Sequence, residues 1–232
     1  MNHPVTIEAL LEATPYVWRG RTTSHGQCCR ASGHSQLDER LPGGGWPIGA
    51  VTELITARPG LGEMCLLFPA LAASSQAGQW LILVDPPWIP YPAAFHGHGI
   101  SLDRLLLVRT GNAKSASRSP APARGSESLW ACEQALHNGH GGAVLAWPEQ
   151  ISFARLRRLQ LAAEAGNKLA FLFRPRNALE TASPSALRLH LQTDERGTRI
   201  DILKCRGQRC SKPAWIPHLR AVELSSSVPS MT

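Results

Sequence analysis

The strongest constraint on the fold of this chain is a repeated order of apolar segment, glycine-containing loop and helical segment. Short apolar runs suited to buried strands occur at residues 50–55, 80–84, 105–108, 143–146 and 168–173. Helical patterns occur between them, at residues 64–74, 129–138 and 153–165. Strands that are apolar throughout are covered on both faces, as in parallel sheets with helical crossovers. The pattern therefore predicts an α/β fold with a mostly parallel β-sheet flanked by helices.

The pattern changes after residue 175. Residues 187–192 and 199–204 alternate apolar and polar positions on either side of Asp194-Glu195-Arg196-Gly197, which predicts a C-terminal β-hairpin. Residues 111–128 are rich in Ala, Ser, Pro and Arg and show no periodicity, which predicts a mobile surface insert. The expected organisation is an N-terminal arm at 1–34, one domain at 35–217 with the insert at 111–128, and a disordered tail at 218–232.

Composition limits the function classes. A chain of 232 residues that is 43% hydrophobic and 18% charged can bury one sizeable core. Its first residues do not have the pattern of a secretory signal, and no apolar run approaches the roughly 18 residues of a membrane-spanning helix. We therefore expect a cytoplasmic protein with no membrane contact. The six cysteines are expected to be reduced thiols, and their spacing predicts neither a metal site nor a bound cofactor.

The loop after the first strand is placed where nucleotide-binding loops bind phosphate. In a working loop, the last glycine is followed by a lysine that contacts the phosphates and by a hydroxyl residue that binds magnesium. Here Gly62 is followed by Glu63, whose carboxylate would repel the triphosphate, and by Met64, whose thioether offers magnesium no oxygen ligand. The sequence therefore predicts a degenerate nucleotide loop and no ATPase activity. Its residues are Arg58, Gly60, Gly62, Glu63 and Met64.

Two further strand ends differ from those of a phosphate-loop enzyme. Trp147 follows the strand at 143–146, where such an enzyme would have a metal-binding aspartate. Asp85 follows the strand at 80–84 and is interpreted as a cap or turn former in preference to a catalytic base. Both positions argue against ATP turnover.

Several stretches resemble a known family. Residues 35–55, SQLDERLPGGGWPIGAVTELI, resemble the opening of the RecA core, and residues 197–216, GTRIDILKCRGQRCSKPAWI, resemble its last hairpin. The tryptophan of GGGWP, the TELI strand with its lysine-free loop, and AAEAGNKLAFLFRP at 162–175 are similar to bacterial ImuA proteins. The last stretch also resembles the closing region of the SOS division inhibitor SulA.

The resemblance implies a RecA-like fold and a non-catalytic role in the SOS response. It implies an adaptor for ImuB and a DnaE-type error-prone polymerase in translesion DNA synthesis, with RecA as a further partner. The alternative is a SulA-like division inhibitor that binds the tubulin-like septation protein. SulA proteins are shorter and lack the closing hairpin, which favours the ImuA interpretation. Lys204 and Arg206 match the basic pair that follows the last RecA strand and reaches a neighbouring subunit's nucleotide.

The net charge of +7 fits either single-stranded DNA or an acidic protein surface as partner. Trp88, between prolines at a strand end, is interpreted as a partner contact. Arg155 and Arg158 lie on the polar side of an amphipathic helix, which is either a docking face or a solvated one. Trp215 could supply a stacking surface beside a basic cluster, or it could close the edge of the core. That cluster consists of Lys204, Arg206, Arg209 and Lys212.

Overall fold

A computed structural model describes residues 28–57, 59–60, 62–110, 126–206 and 212–217. The strands are β1 (Cys29–Arg30), β2 (Trp46–Pro47), β3 (Ala50–Thr56), β4 (Trp80–Val84), β5 (Leu105–Val108), β6 (Gly141–Ala146), β7 (Leu169–Pro175), β8 (Leu187–Thr193), β9 (Gly197–Cys205) and β10 (Ala214–Pro217). The helices are α1 (Ser35–Asp38), α2 (Phe68–Gln76), α3 (Pro92–Gly97), α4 (Ser126–His137) and α5 (Phe153–Gly166). The predictions for residues 1–27, 111–125 and 218–232 lie outside the described ranges.

Eight of these strands form one mixed sheet in the order β10-β9-β8-β3-β7-β6-β4-β5. The pairings among β3 to β8 are all parallel, and only β8–β9 and β9–β10 are antiparallel. This arrangement confirms the α/β prediction, the mostly parallel sheet and the hairpin at residues 187–205. The two-stranded pair of β1 and β2 is a separate ribbon.

The sheet is covered on both faces, as the apolar runs predicted. Leu81 and Leu83 of β4 belong to a core that includes α2, whereas Ile82 and Val84 belong to a second core that includes α4 and α5. The alternation follows from the strand geometry, in which successive side chains point to opposite faces. The two cores place α2 on one side of the sheet and the α4–α5 pair on the other.

Three boundaries differ from the predictions. Helix α2 begins at Phe68 instead of residue 64, and it has Pro69 in its first turn, where proline needs no hydrogen-bond partner. Helix α4 begins at Ser126, so the last residues assigned to the insert are helical. Residues 28–34, assigned to the arm, lie in the fold, because β1 pairs with β2 and Ser32 is buried. The sequence analysis did not predict α3 or β10.

A buried charge network joins the parallel part of the sheet to the hairpin. Glu53 of β3 is 1% exposed, and its carboxylate lies 3.3 Å from the Arg174 guanidinium of β7 and 3.2 Å from that of Arg188 on β8. The Ser183 hydroxyl donates to the same carboxylate. Arg188 also donates to the backbone carbonyls of Thr181 and Ala178. One carboxylate thus connects three strands to the segment that covers them.

The described helices include none that is long and apolar enough to span a lipid bilayer.

Candidate protein-interaction site

The loop after β3 is held by its own glutamate. Gly60 and Gly62 have φ values of +88° and +92°, a region that favours glycine. The Glu63 carboxylate accepts a hydrogen bond from the Gly60 backbone N–H at 2.6 Å, and Glu63 is 6% exposed. In a phosphate-binding loop, backbone N–H groups point towards the anion. Here a carboxylate of the chain itself accepts from one of them.

The turn between this loop and α2 separates the helix from the glycines. Residues 63–67 form turns, and α2 begins only at Phe68. The Met64 side chain is half-buried and packs against the first core. The position that would supply a magnesium ligand in a working loop therefore contributes to hydrophobic packing. Arg58 lies outside the described residues.

The ends of β4 and β6 are also occupied by contacts within the chain. The Asp85 carboxylate accepts hydrogen bonds from the backbone N–H and the hydroxyl of Thr110, so it connects the end of β4 to the residues after β5. Asp85 has a φ of 45°, which a short polar residue tolerates in a turn. Trp147 stacks on Phe173 with ring centroids 4.6 Å apart and an interplanar angle of 6°. The two hydrogen bonds from Thr110 and the positive φ of Asp85 agree with interpreting Asp85 as a turn former.

An apolar ridge stands next to the glycine loop. Trp88, Ile89 and Tyr91 are 68%, 77% and 72% exposed, and we call these three residues the Trp88 ridge. The indole nitrogen of Trp88 lies 3.5 Å from where a Cβ on Gly60 would stand. Prolines at 86, 87, 90 and 92 restrict the backbone of this segment. The ridge is therefore an exposed aromatic surface on a backbone with few accessible conformations.

The arginines of α5 have different surroundings. Arg158 donates two hydrogen bonds to the Glu133 carboxylate at 2.9 and 2.8 Å, which connects α5 to α4. The Arg155 side chain is exposed, and its backbone N–H is capped by the Ser152 hydroxyl. Of the two predicted contacts, only Arg155 presents its guanidinium to solvent without an ion pair among the described residues.

The basic residues at the end of β9 contact the chain itself. The Lys204 ammonium donates to the Ser183 carbonyl at 2.7 Å, and burial, together with the charges of Arg206 and Arg188, lowers the pKa of Lys204. The Arg206 guanidinium lies 3.0 Å from the Glu164 carboxylate of α5. Both side chains therefore hold neighbouring segments against the sheet.

Trp215 does not lie beside these two residues. It pairs with Arg199 across β10 and β9, and its ring packs close to Gly197. Lys204 is five positions further along β9, a separation of roughly 15 Å at the rise of a strand. Lys212 is exposed just before β10, and Arg209 lies outside the described residues. The prediction that Trp215 supplies a stacking surface beside Lys204 and Arg206 is therefore wrong, because strand pairing places Trp215 at the other end of β9.

The structure brings Gly60 and Trp88 together, whereas Lys204 pairs with Arg188 at the other end of β8 from the glycine loop. Ile89 and Tyr91 were missed, although the alternation of proline with large apolar residues at 86–92 was visible in the sequence. Within the described ranges, no group of three His, Cys, Asp or Glu side chains is arranged to hold a metal ion.

No protein-family model matches the chain. Proteins named cell division inhibitor SulA match it: the one from Photorhabdus laumondii subsp. laumondii is 27% identical over 126 residues, 54% of this chain and 64% of that protein. The one from Yersinia enterocolitica is 26% identical over 144 residues, 61% of this chain and 79% of that protein. The chain thus aligns with less than two thirds of the Photorhabdus protein. These relatives support a SulA-related family, and the narrower ImuA assignment stays a prediction.

Proposed function

We propose that this protein acts in the SOS response by binding another protein, without ATP turnover, and that it inhibits cell division by binding the tubulin-like septation protein. The observation that carries the proposal is the similarity to relatives named cell division inhibitor SulA. The proposed partner is a cytoplasmic protein, so the proposal places this chain in the cytoplasm.

The absence of ATP turnover in the proposal rests on the loop chemistry. The Glu63 carboxylate accepts from the Gly60 N–H, and Met64 packs against the core. A triphosphate at this loop would approach a buried carboxylate, which repels it. We expect purified protein to release no phosphate from ATP above background. Hydrolysis that persists through purification and is lost in Gly60→Val would contradict this part of the proposal.

The docking face in the proposal is the Trp88 ridge. Aromatic residues are enriched among the side chains that carry most of the energy of protein interfaces. The exposed Trp88 and Tyr91 are of this kind, and the prolines at 86, 87, 90 and 92 reduce the conformational entropy lost on binding. Function in this proposal depends on an aromatic surface that is already ordered before the partner arrives.

The direct test is binding of purified septation protein in the presence of GTP. We expect Trp88→Ala to weaken binding by about thirtyfold or more, since truncation of a hot-spot residue costs at least about 2 kcal/mol. Trp130→Ala is the matched control, because Trp130 is 63% exposed but lies on α4 and is not part of the ridge. Equal loss in both variants, or no binding by the parent protein, would count against the proposal.

A second candidate is the translesion adaptor. The observation that favours it is the three-stranded arrangement of β8, β9 and β10, because this part of the chain resembles the closing hairpin of RecA, which SulA proteins lack. The two reported SulA alignments span only 54% and 61% of this chain. In this proposal the chain has a RecA-like core and binds ImuB, a DnaE-type polymerase or RecA.

Capture from damage-treated cells separates the two candidates. Recovery of the polymerase and ImuB, without the septation protein, would support the adaptor. Recovery of the septation protein alone would support the division inhibitor. Repeating the capture with the Trp88→Ala variant shows whether either partner uses the ridge.

A further inference from the structure

Helix α5 carries a row of exposed side chains at helical spacing. Phe153, Arg157 and Leu161 follow one another at intervals of four residues, so they lie along one side of the helix. Phe153 is 51% exposed and Leu161 is 53% exposed, and Arg157 between them is exposed as well. We call these three residues the α5 row. Its two apolar side chains are therefore only half covered by the part of the chain that the structure describes.

The available charge on this side of α5 is positive. Arg155 and Arg157 are exposed, and neither has an ion pair within the described ranges. Glu164, the one acidic residue of α5, lies 3.0 Å from the Arg206 guanidinium and is already paired. Opposite charges across an interface are favourable. The α5 row therefore fits an occupant that carries acidic side chains next to apolar ones.

The N-terminal part of the chain contains a segment with this pattern. Residues 7–13 have the sequence Ile-Glu-Ala-Leu-Leu-Glu-Ala. At helical spacing, the three large apolar residues fall on one side and the two glutamates on its flank, which predicts a short amphipathic helix. These residues are Ile7, Leu10 and Leu11, and Glu8 and Glu12. The first lysine or arginine of the chain is Arg19, so the segment is acidic where the α5 row is basic.

The chain that carries this segment enters the described structure beside the C-terminal end of α5. The Cys28 carbonyl accepts from the Ile48 N–H at 2.9 Å, and the next residue, Gly49, donates to the Lys168 carbonyl at 2.9 Å. Lys168 follows the last residue of α5 by two positions. Residues 14–27 can span roughly 46–50 Å when extended, whereas α5 with its 14 residues is about 21 Å long. The segment can therefore reach every position of the α5 row.

We propose that residues 7–13 dock as a helix on the α5 row of the same chain. The isoleucine and the two leucines cover Phe153 and Leu161, and the two glutamates pair with Arg155 and Arg157. An acidic partner or single-stranded DNA that uses these arginines must then displace the segment. The α5 row shares no residue with the Trp88 ridge, and this inference does not depend on the proposed function.

The first test is amide hydrogen exchange of the full-length chain, measured by mass spectrometry at residues 7–13. We expect slow exchange in the parent protein and exchange about tenfold faster in Leu161→Asp, because the segment loses an apolar contact. Leu203→Asp is the matched control, since Leu203 is 47% exposed but lies on β9. Exchange as fast as in an unfolded peptide in the parent, or equal rates in the two variants, would overturn the proposal.

A charge exchange tests the ion pairs separately from folding. The double variant Arg155→Glu with Arg157→Glu should speed exchange at residues 7–13, because its new carboxylates repel those of the segment. Adding Glu8→Arg and Glu12→Arg should restore slow exchange, because the reversed charges pair again. A damaged fold would not recover in this way. Failure of the fourfold variant to recover would contradict the assigned ion pairs.

A cross-link identifies the copy that supplies the segment. The pair Leu11→Cys and Leu161→Cys should form a disulfide within one chain under oxidised glutathione, identified by the mass of the linked peptides, which separates it from links to the native cysteines. The control pair, Leu11→Cys and Leu203→Cys, should link much less. Equal linkage of the two pairs would contradict the docking site. A covalent dimer through positions 11 and 161 would show that a second copy supplies the segment, which would overturn docking within the chain.

Discussion

Removal of the Glu53 carboxylate should be among the most damaging single substitutions in this chain. In Glu53→Ala, the buried guanidiniums of Arg174 and Arg188 lose their shared counter-charge, and the Ser183 hydroxyl loses its acceptor. Removing one partner of a buried ion pair costs about 3–5 kcal/mol. Two arginines depend on this carboxylate, so we expect the upper half of that range.

The size of this effect can be measured against total stability. Native domains are stable by roughly 5–15 kcal/mol, so the substitution removes a large fraction of the free energy of unfolding. For a chain of this length, each kcal/mol lowers Tm by about 2–4 °C, which predicts a decrease of roughly 8–20 °C. Urea unfolding followed by circular dichroism gives the change in free energy, and calorimetry gives the change in Tm.

A matched control distinguishes the buried network from ion pairs in general. Arg158→Ala removes the two hydrogen bonds to Glu133 at the surface, and exposed pairs contribute only about 0–1 kcal/mol. Glu53→Gln should fall between the two, since the amide keeps an acceptor oxygen but loses the charge. A loss below about 1 kcal/mol in Glu53→Ala would refute the conclusion that this carboxylate holds the three strands together.

Three further outcomes follow from the structure. Burial raises the pKa of the Cys132 thiol to about 12, so at pH 8 a thiol reagent should label exposed Cys28 in the folded protein and leave Cys132 unreacted until urea is added. Burial lowers the pKa of Lys168 below its unfolded value, so between the two pKa values the folded state binds fewer protons than the unfolded state. The free energy of unfolding should therefore rise with pH through that window. The rise should be smaller in Lys168→Met, as measured by the urea midpoint. Lys204 and Arg206 contact Ser183 and Glu164, so replacing both with alanine should lower the urea midpoint. In a fluorescence titration, the salt dependence of any single-strand DNA binding should stay unchanged. A flatter salt slope would show that the two side chains contact phosphate.

The central sheet could be predicted because its signal is local in the sequence. Strands β4 and β6 are short runs without a charged residue, and burial on both faces requires this pattern. The first turn of α2 was predicted too early because residues 64–67 are apolar and therefore continue the helical pattern, although Pro69 favours a later start. Strand β1 has only two residues, too few for any periodicity, and its pairing with β2 is a long-range contact.

The candidate site was less predictable than the sheet. Residue type suggested Trp88 as a partner contact, and this stays a prediction for an exposed side chain. The sequence carried no information on which charges pair within the chain. Arg158, Lys204 and Arg206 have the composition of a binding surface, yet each contacts a partner 21 to 42 residues away in sequence. Such contacts depend on tertiary structure, so charge clustering alone could not separate solvent-facing cations from those that hold the fold together.

The central place of β3 has a consequence for synthesis on the ribosome. This strand pairs with β7 on one side and β8 on the other, and their first residues are Leu169 and Leu187. At a translation rate of about 5–20 residues per second, β7 is made roughly 6–23 s after β3 is complete. During that interval a strand whose residues are all buried in the native sheet has neither of its neighbours. A chaperone that binds short apolar segments should therefore associate with nascent chains that end before residue 169 and dissociate once β8 has emerged.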